Sequence, residues 1–349
     1  MKIINLFTLS LFISLIAYTQ KKESNNLVIA EGHMPNMAKD KGNNIHIVYG
    51  NGDSILYVSS KDGKSFTSSS LVAVLPKLFA SAMRGPQIAA AYNGLVITAC
   101  TNTGNIFSYT KEASGKWTKG VRINDVSEVA KEALMALSAD GLNAYAVWLG
   151  VKSQKGQNVY GAKSVDGGKT WSKNILVYAS PDGTVCECCK PSVAVKGNNV
   201  YVMFRNWLNG NRDLYLIRST NGGGTFGQAE KLGFASWPLK GCPMDGGSIV
   251  VDDNGNPKTV WNRQGIIYAC DPGKQERAIG KGRNCTLETL NGREVYAWVE
   301  DKEVFIGELE GKKQLLGPGK LPVIKAIGNN KIICLWETEG KIHKSIFYL

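Results

Sequence analysis

Short apolar runs alternate with clusters of Gly, Asn and Asp along almost the whole chain, and helix-capping patterns are scarce. One run recurs with a bulky or otherwise distinctive residue at its end. It spans residues 45–49, 95–98, 144–148, 200–204, 258–261, 295–298 and 332–336, ending at Tyr49, Thr98, Trp148, Phe204, Trp261, Trp298 and Trp336. A shorter run precedes each copy, often opened by proline, as at Pro35, Pro86, Pro191 and Pro322. Turn residues such as Gly42-Asn43-Asn44 and Gly197-Asn198-Asn199 join the two. A third run follows, as at 54–58 and 213–217, and in most copies a fourth, as at 173–177. Runs this short, bounded by turn residues, predict strands. Four antiparallel strands per unit predict a propeller blade, and because one blade cannot cover both its faces, the units must stack in a ring. Seven units are favoured, or six if the fifth or sixth is incomplete. The last unit stops after its third strand, at 344–348, while an orphan run at 26–30 precedes the first. The expected fold class is therefore all-β: a single β-propeller of four-stranded antiparallel blades over residues 25–349, with the N-terminal strand closing the last blade.

A chain of 349 residues, 43% of them hydrophobic, can bury a core of this size, and 39 glycines suit so many turns. Residues 1–20 read as a signal peptide: Met1-Lys2, an apolar stretch to Tyr18, then a polar flank. An uncleaved anchor is the alternative. No later run could span a membrane as a helix, so the expectation is a soluble monomer, secreted or periplasmic. The net charge of +12 comes with no recognisable nucleic-acid-binding signature, and its lysines are scattered. Such a surface is either plainly solvated or attracts acidic ligands such as anionic glycans.

Three turns between third and fourth strands share a motif. Ser164-Val165-Asp166-Gly167-Gly168-Lys169-Thr170-Trp171 fits Ser-x-Asp-x-Gly-x-Thr-Trp; residues 219–226 are a copy with Asn221 for Asp; residues 60–66 are a copy one residue short. In these features the chain resembles the sialidase-like, Asp-box propellers over nearly its whole mature length. The Asp or Asn caps backbone amides, Gly takes positive φ, and the terminal aromatic packs into the blade. The resemblance implies that these turns are structural and that ligands bind at the opposite end of the ring. There it implies an arginine triad gripping a substrate carboxylate, which Arg84, Arg205 and Arg263 could supply, since arginine matches a carboxylate with two parallel N–H donors. Arg84-Gly85-Pro86 resembles the family's early Arg-x-Pro motif, with Gly85 where the family has an aliphatic residue. Glu132, Asp245 and Glu288 are the candidates for proton transfer, and Trp207 for substrate contact. No tyrosine is placed as the nucleophile. The implied activity is exo-acting hydrolysis of sialic or uronic acid glycans with no cofactor. The alternative is a non-catalytic propeller binding glycan, protein or metal.

The eight cysteines point to that alternative. Cys186, Cys188 and Cys189 enter the fourth unit, and Cys242 holds the same frame position one unit later. In an oxidising compartment the expectation is disulfides, Cys242 with one of the trio and Cys270 with Cys285 as a second possible pair. The other reading is a site for Cu or Zn built from Cys186, Cys188, Cys189, Cys242, Met244 and His33. A redox-active or nucleophilic thiol is a third.

Overall fold

The computed structural model describes residues 27–92, 94–112, 114–151, 156–311 and 313–349. The predicted signal segment, residues 1–20, lies outside them. The described residues form seven four-stranded antiparallel sheets, so all seven repeat units are complete blades. The fifth, whose strands are Gly247–Val251, Pro257–Arg263, Ile266–Cys270 and Arg277–Lys281, is as regular as the fourth. The sixth, built from Arg283–Leu290, Arg293–Glu300, Glu303–Glu308 and Gln314–Pro318, is complete as well. In the seventh, Lys320–Ile327, Lys331–Thr338 and Lys341–Tyr348 are joined by Leu27–Glu31, which pairs with the last strand in a register that sets Leu27 opposite Lys344.

The recurring second strand of each blade carries the bulk of the core. Tyr49, Trp148, Phe204, Trp261, Trp298 and Trp336 all have at most 2% of their surface exposed. Burial of each such side chain is worth roughly 1.5–3 kcal/mol, and sheets stacked face to face are the only partners available. Clusters accordingly bridge neighbours: Ile45, Ile47 and Tyr49 of blade 1 pack with Ile333, Leu335 and Ile346 of blade 7. That contact and the Leu27–Glu31 strand close the ring.

The three Ser-x-Asp/Asn turns share one hydrogen-bond pattern. Ser164 Oγ accepts from Gly168 N–H at 2.8 Å, while Asp166 Oδ1 accepts from the N–H groups of Lys169 and Thr170, both at 3.0 Å. Ser219 and Asn221 repeat this with Gly223, Gly224 and Thr225, and Ser60 and Asp62 with Gly63, Lys64 and Ser65. Asn serves as well as Asp because one oxygen, Oδ1, accepts from both backbone amides; the second atom meets the Thr hydroxyl, as acceptor in Asp166 and as donor in Asn221. Each turn also leans on the preceding blade: a Cβ on Gly168 would sit 2.3 Å from Val96 Cγ2, and one on Gly223 would sit 2.1 Å from Tyr145 Cε2. The motif is thus an inter-blade spacer at one end of the ring, which leaves the other end free for ligands.

Candidate functional site

The innermost strands line a central channel of about 600 Å³. Glu288 faces it, ion-paired to Lys325 at 2.9 Å. Lys190 lies on its wall and donates to Gln87 Oε1 at 2.8 Å; burial lowers its pKa to about 8. Asp245 is enclosed at 2% exposure. Burial raises its carboxyl to about 6, against the opposing pull of Arg205 and the backbone N–H of Asn284.

A second cavity, of about 330 Å³, opens where the loops entering blades 3, 4 and 5 meet the loop after Arg205. Glu132, Thr184, Glu187, Cys188, Trp207, Arg212 and Cys242 line it. Local bonds fix this rim. Cys186 N–H donates to Arg205 O at 2.9 Å, Ser180 Oγ–H to Trp207 O at 2.8 Å, and Asn209 N–H to Asp182 Oδ2 at 2.6 Å. A disulfide between Cys188 and Cys242, with Cα atoms 6.3 Å apart, ties the loop entering blade 4 to that entering blade 5. Cys270 and Cys285 are not bonded to each other; both are free and buried.

Beside the disulfide lie two more sulfurs. Cys186 Sγ is 3.4 Å from Cys189 Sγ and 3.7 Å from Cys188 Sγ, and it accepts from Arg212 Nη1 at 2.9 Å. The hydrogen bond from Cys189 and the charges of Arg212 and Arg205 bring the Cys186 thiol down to about 6, outweighing burial. Burial, and its role as donor to Cys186, push Cys189 well up. Cys186, Cys188 and Cys189 form a group whose sulfurs all lie within 4.8 Å of one another. His33 is not part of it: its Nδ1 pairs with Glu337 Oε1 at 2.9 Å on the blade 7 side. Met244 is exposed, with its carbonyl accepting from Arg283.

The three arginines occupy three different settings. Arg84 holds Glu132 at the rim, through Glu132 Oε2 at 2.8 Å and the Glu132 carbonyl at 2.6 Å. Gly85 beside it is required by packing, since a Cβ there would lie 2.4 Å from that of Met34. Arg205 is 2% exposed; its donors go to the carbonyls of Arg212 and Asn262, each at 2.8 Å, and of Asp245 at 3.4 Å, while its plane lies over Trp237. Arg263 pairs with Glu276 at 2.6 Å and lies over Tyr268. The structure therefore does not gather Arg84, Arg205 and Arg263 into one open clamp. The arginine that does face the rim cavity is Arg212, stacked 4.4 Å over Trp207 with its Nε buried and without a partner. Arg212 and Glu187 were not singled out from the sequence. The signal for Arg212 was its position just before the third strand of blade 4, on the loop that already carried Trp207.

Burial would raise Glu276, but the N–H groups of Phe234 and of Glu276 itself, the Arg263 ion pair and the N–H of Ala235 bring it down to about 2. A carboxyl depressed in the folded state contributes stability above its unfolded value of 4.5 and loses it as pH falls toward 2. Glu276→Gln should therefore be less stable than wild type at pH 7, and the gap should close between pH 4.5 and 2. Urea unfolding at pH 7, 4 and 2.5 reads this directly; a gap that stays constant would exclude the linkage.

Fold and rim together define a seven-bladed β-propeller with a cysteine-lined mouth. No family model and no curated protein matches the chain. Among solved structures it is similar to the BP39L lectin of Burkholderia pseudomallei, at 11% identity over 92% of this chain and 97% of that one, with a TM-score of 0.63. It is similar also to an alpha-L-arabinanase of Penicillium chrysogenum, solved with arabinobiose, at 12% identity over 93% and 97%, TM-score 0.56. A protein of Dyadobacter fermentans matches at 15% identity over 93% and 98%, TM-score 0.53. At these identities the likeness is one of fold.

Proposed function

We propose that this propeller is carbohydrate-directed and binds a short glycan in the rim cavity between Glu132 and Trp207. The observation that carries this reading is the cavity's lining. A half-buried indole held in place by Arg212 offers a flat face to a sugar ring, and Glu132, Glu187 and Thr184 offer polar atoms around it. A lectin and an arabinanase of similar fold accord with it. The test is a titration of the full chain with arabinobiose, sialyllactose and a uronic acid disaccharide, followed by tryptophan fluorescence. Trp207→Ala should weaken binding at least about tenfold, roughly 1.4 kcal/mol. No saturable binding to any of the three, or equal affinity in the variant, would sink the reading.

Exo-acting hydrolysis of an acidic glycan is the second reading. It is favoured by two carboxylates, Glu132 and Glu187, lining one cavity with Arg212, and Arg84 behind Glu132. Release of methylumbelliferone from a sialoside or a uronide, abolished by Glu132→Gln, would support it. Export through residues 1–20 is proposed with both readings.

A further inference from the structure

We propose that the sulfur cluster at the rim is a binding site for one thiophilic d10 cation, Zn²⁺ or Cu⁺, held by Cys186, Cys188 and Cys189, and by Cys242 once its bond to Cys188 is reduced. Thiolates bound to such a cation at about 2.3 Å stand about 3.8 Å apart at the corners of a tetrahedron. Cys186 already stands 3.7 Å from Cys188 and 3.4 Å from Cys189, so little movement is needed to close around an ion.

The surroundings fit as well. Thiolates gathered in a buried place need compensating positive charge and donors. Arg212 reaches Cys186 Sγ at 2.9 Å, and Arg205 lies close behind, buried. The backbone N–H of Asp245 points to Cys189. An ion has a way in, because Cys188 and Cys242 line the rim cavity. Among the other free cysteines, Cys100, Cys270 and Cys334 lie on strands, each bonded to a backbone carbonyl, and offer no comparable group. The soft sulfur set excludes the hard oxygen-seeking cations Ca²⁺ and Mg²⁺.

The disulfide and the metal are then alternative states of the same sulfurs. Opening the Cys188–Cys242 bond takes two electrons. An added phosphine supplies them, while water gives its oxygen to the phosphine oxide and its two protons to the thiols. Metal binding then displaces protons from the thiols that it takes up. The inference is independent of whether a glycan occupies the cavity.

The experiment uses the full chain, reduced anaerobically with a phosphine and freed of it. Co²⁺ is the first probe, since cobalt in a tetrahedral thiolate site gives sulfur-to-metal charge-transfer and intense visible bands. One equivalent of Co²⁺ should bring up these bands, and Zn²⁺ should remove them. Titration of the reduced chain with Cu⁺ held in a chromophoric chelator forms the second arm. The oxidised chain should bind at least about 100-fold more weakly, because it retains two thiolates in place of four. Cys186→Ser and Cys189→Ser should each remove the cobalt–thiolate bands, while Cys270→Ser should keep them. Should the serine variants fail to fold, the wild-type chain still decides: bound Zn²⁺ must protect Cys186, Cys188, Cys189 and Cys242 from alkylation. Absence of cobalt–thiolate bands in the reduced chain, bands that persist in both serine variants, or labelling unchanged by Zn²⁺ would each overturn the proposal.

Discussion

Arg205→Met is expected to destabilise the protein by roughly 2–6 kcal/mol, because it strands one buried and one partly buried carbonyl, each costing about 1–3 kcal/mol. Those acceptors are the carbonyls of Arg212 and Asn262, and the guanidinium between them is 2% exposed. Its charge also offsets the buried carboxyl of Asp245, which would be pushed further toward its neutral form without it. Urea unfolding at pH 7 measures the effect. The same arginine, if it gripped a ligand carboxylate instead, would be dispensable for folding and would matter only for affinity. A variant as stable as wild type but deficient in binding sialyllactose would therefore reverse the assignment. Arg84→Met gives the contrast: its ion pair with Glu132, itself 37% exposed, and its bond to the exposed Ala82 carbonyl lie at the rim, so its loss should cost less than that of Arg205.

The second large effect lies at the other end of the ring. Gly223→Ala should cost roughly 2–4 kcal/mol, the sum of about 1 kcal/mol for a left-handed backbone and about 1–3 kcal/mol for overpacking. Its φ is +83°, and the new methyl would lie 2.1 Å from the ring of Tyr145, which is 1% exposed. The ring has little room to retreat, since it packs edge-on against Phe226, 5.8 Å between ring centroids, and lies close over Gly161. The neighbouring Gly222 has φ +71° and open space around it. Gly222→Ala therefore carries the backbone term alone, and the difference between the two variants isolates the inter-blade contact. Equal costs would show that the turn does not space the blades.

The blades were legible in the sequence because every unit must solve the same packing problem. The bulky end of the second strand has one place to go, between sheets, and so it repeats from Tyr49 to Trp336 in every blade but the second, where Thr98 stands. The N-terminal strand was legible by default, as an apolar run with no unit of its own. The site was less so. Loop positions could be assigned to the mouth, which brought Glu132, Trp207 and the cysteines into view, but the frame carries no information on what each side chain meets there. Arg205 and Arg263 stand where open ligand-binding arginines would stand, yet one is consumed by carbonyls and the other by Glu276, which immediately precedes the outermost strand of the same blade. His33 likewise shares the frame position of the cysteines but sits at a different sector of the ring, where Glu337 takes it. Angular position around an axis is what a linear repeat encodes least directly.

The pairing of Leu27–Glu31 with Lys341–Tyr348 also sets a schedule for the nascent protein. The first of these segments to leave the ribosome has to wait for Lys341–Tyr348 to be translated before it finds its neighbour. Until then the seventh sheet lacks its outer edge and blade 1 lacks the surface that covers Ile45 and Ile47. Contacts so distant in sequence form slowly, and an unpaired strand is prone to stray association in the interval.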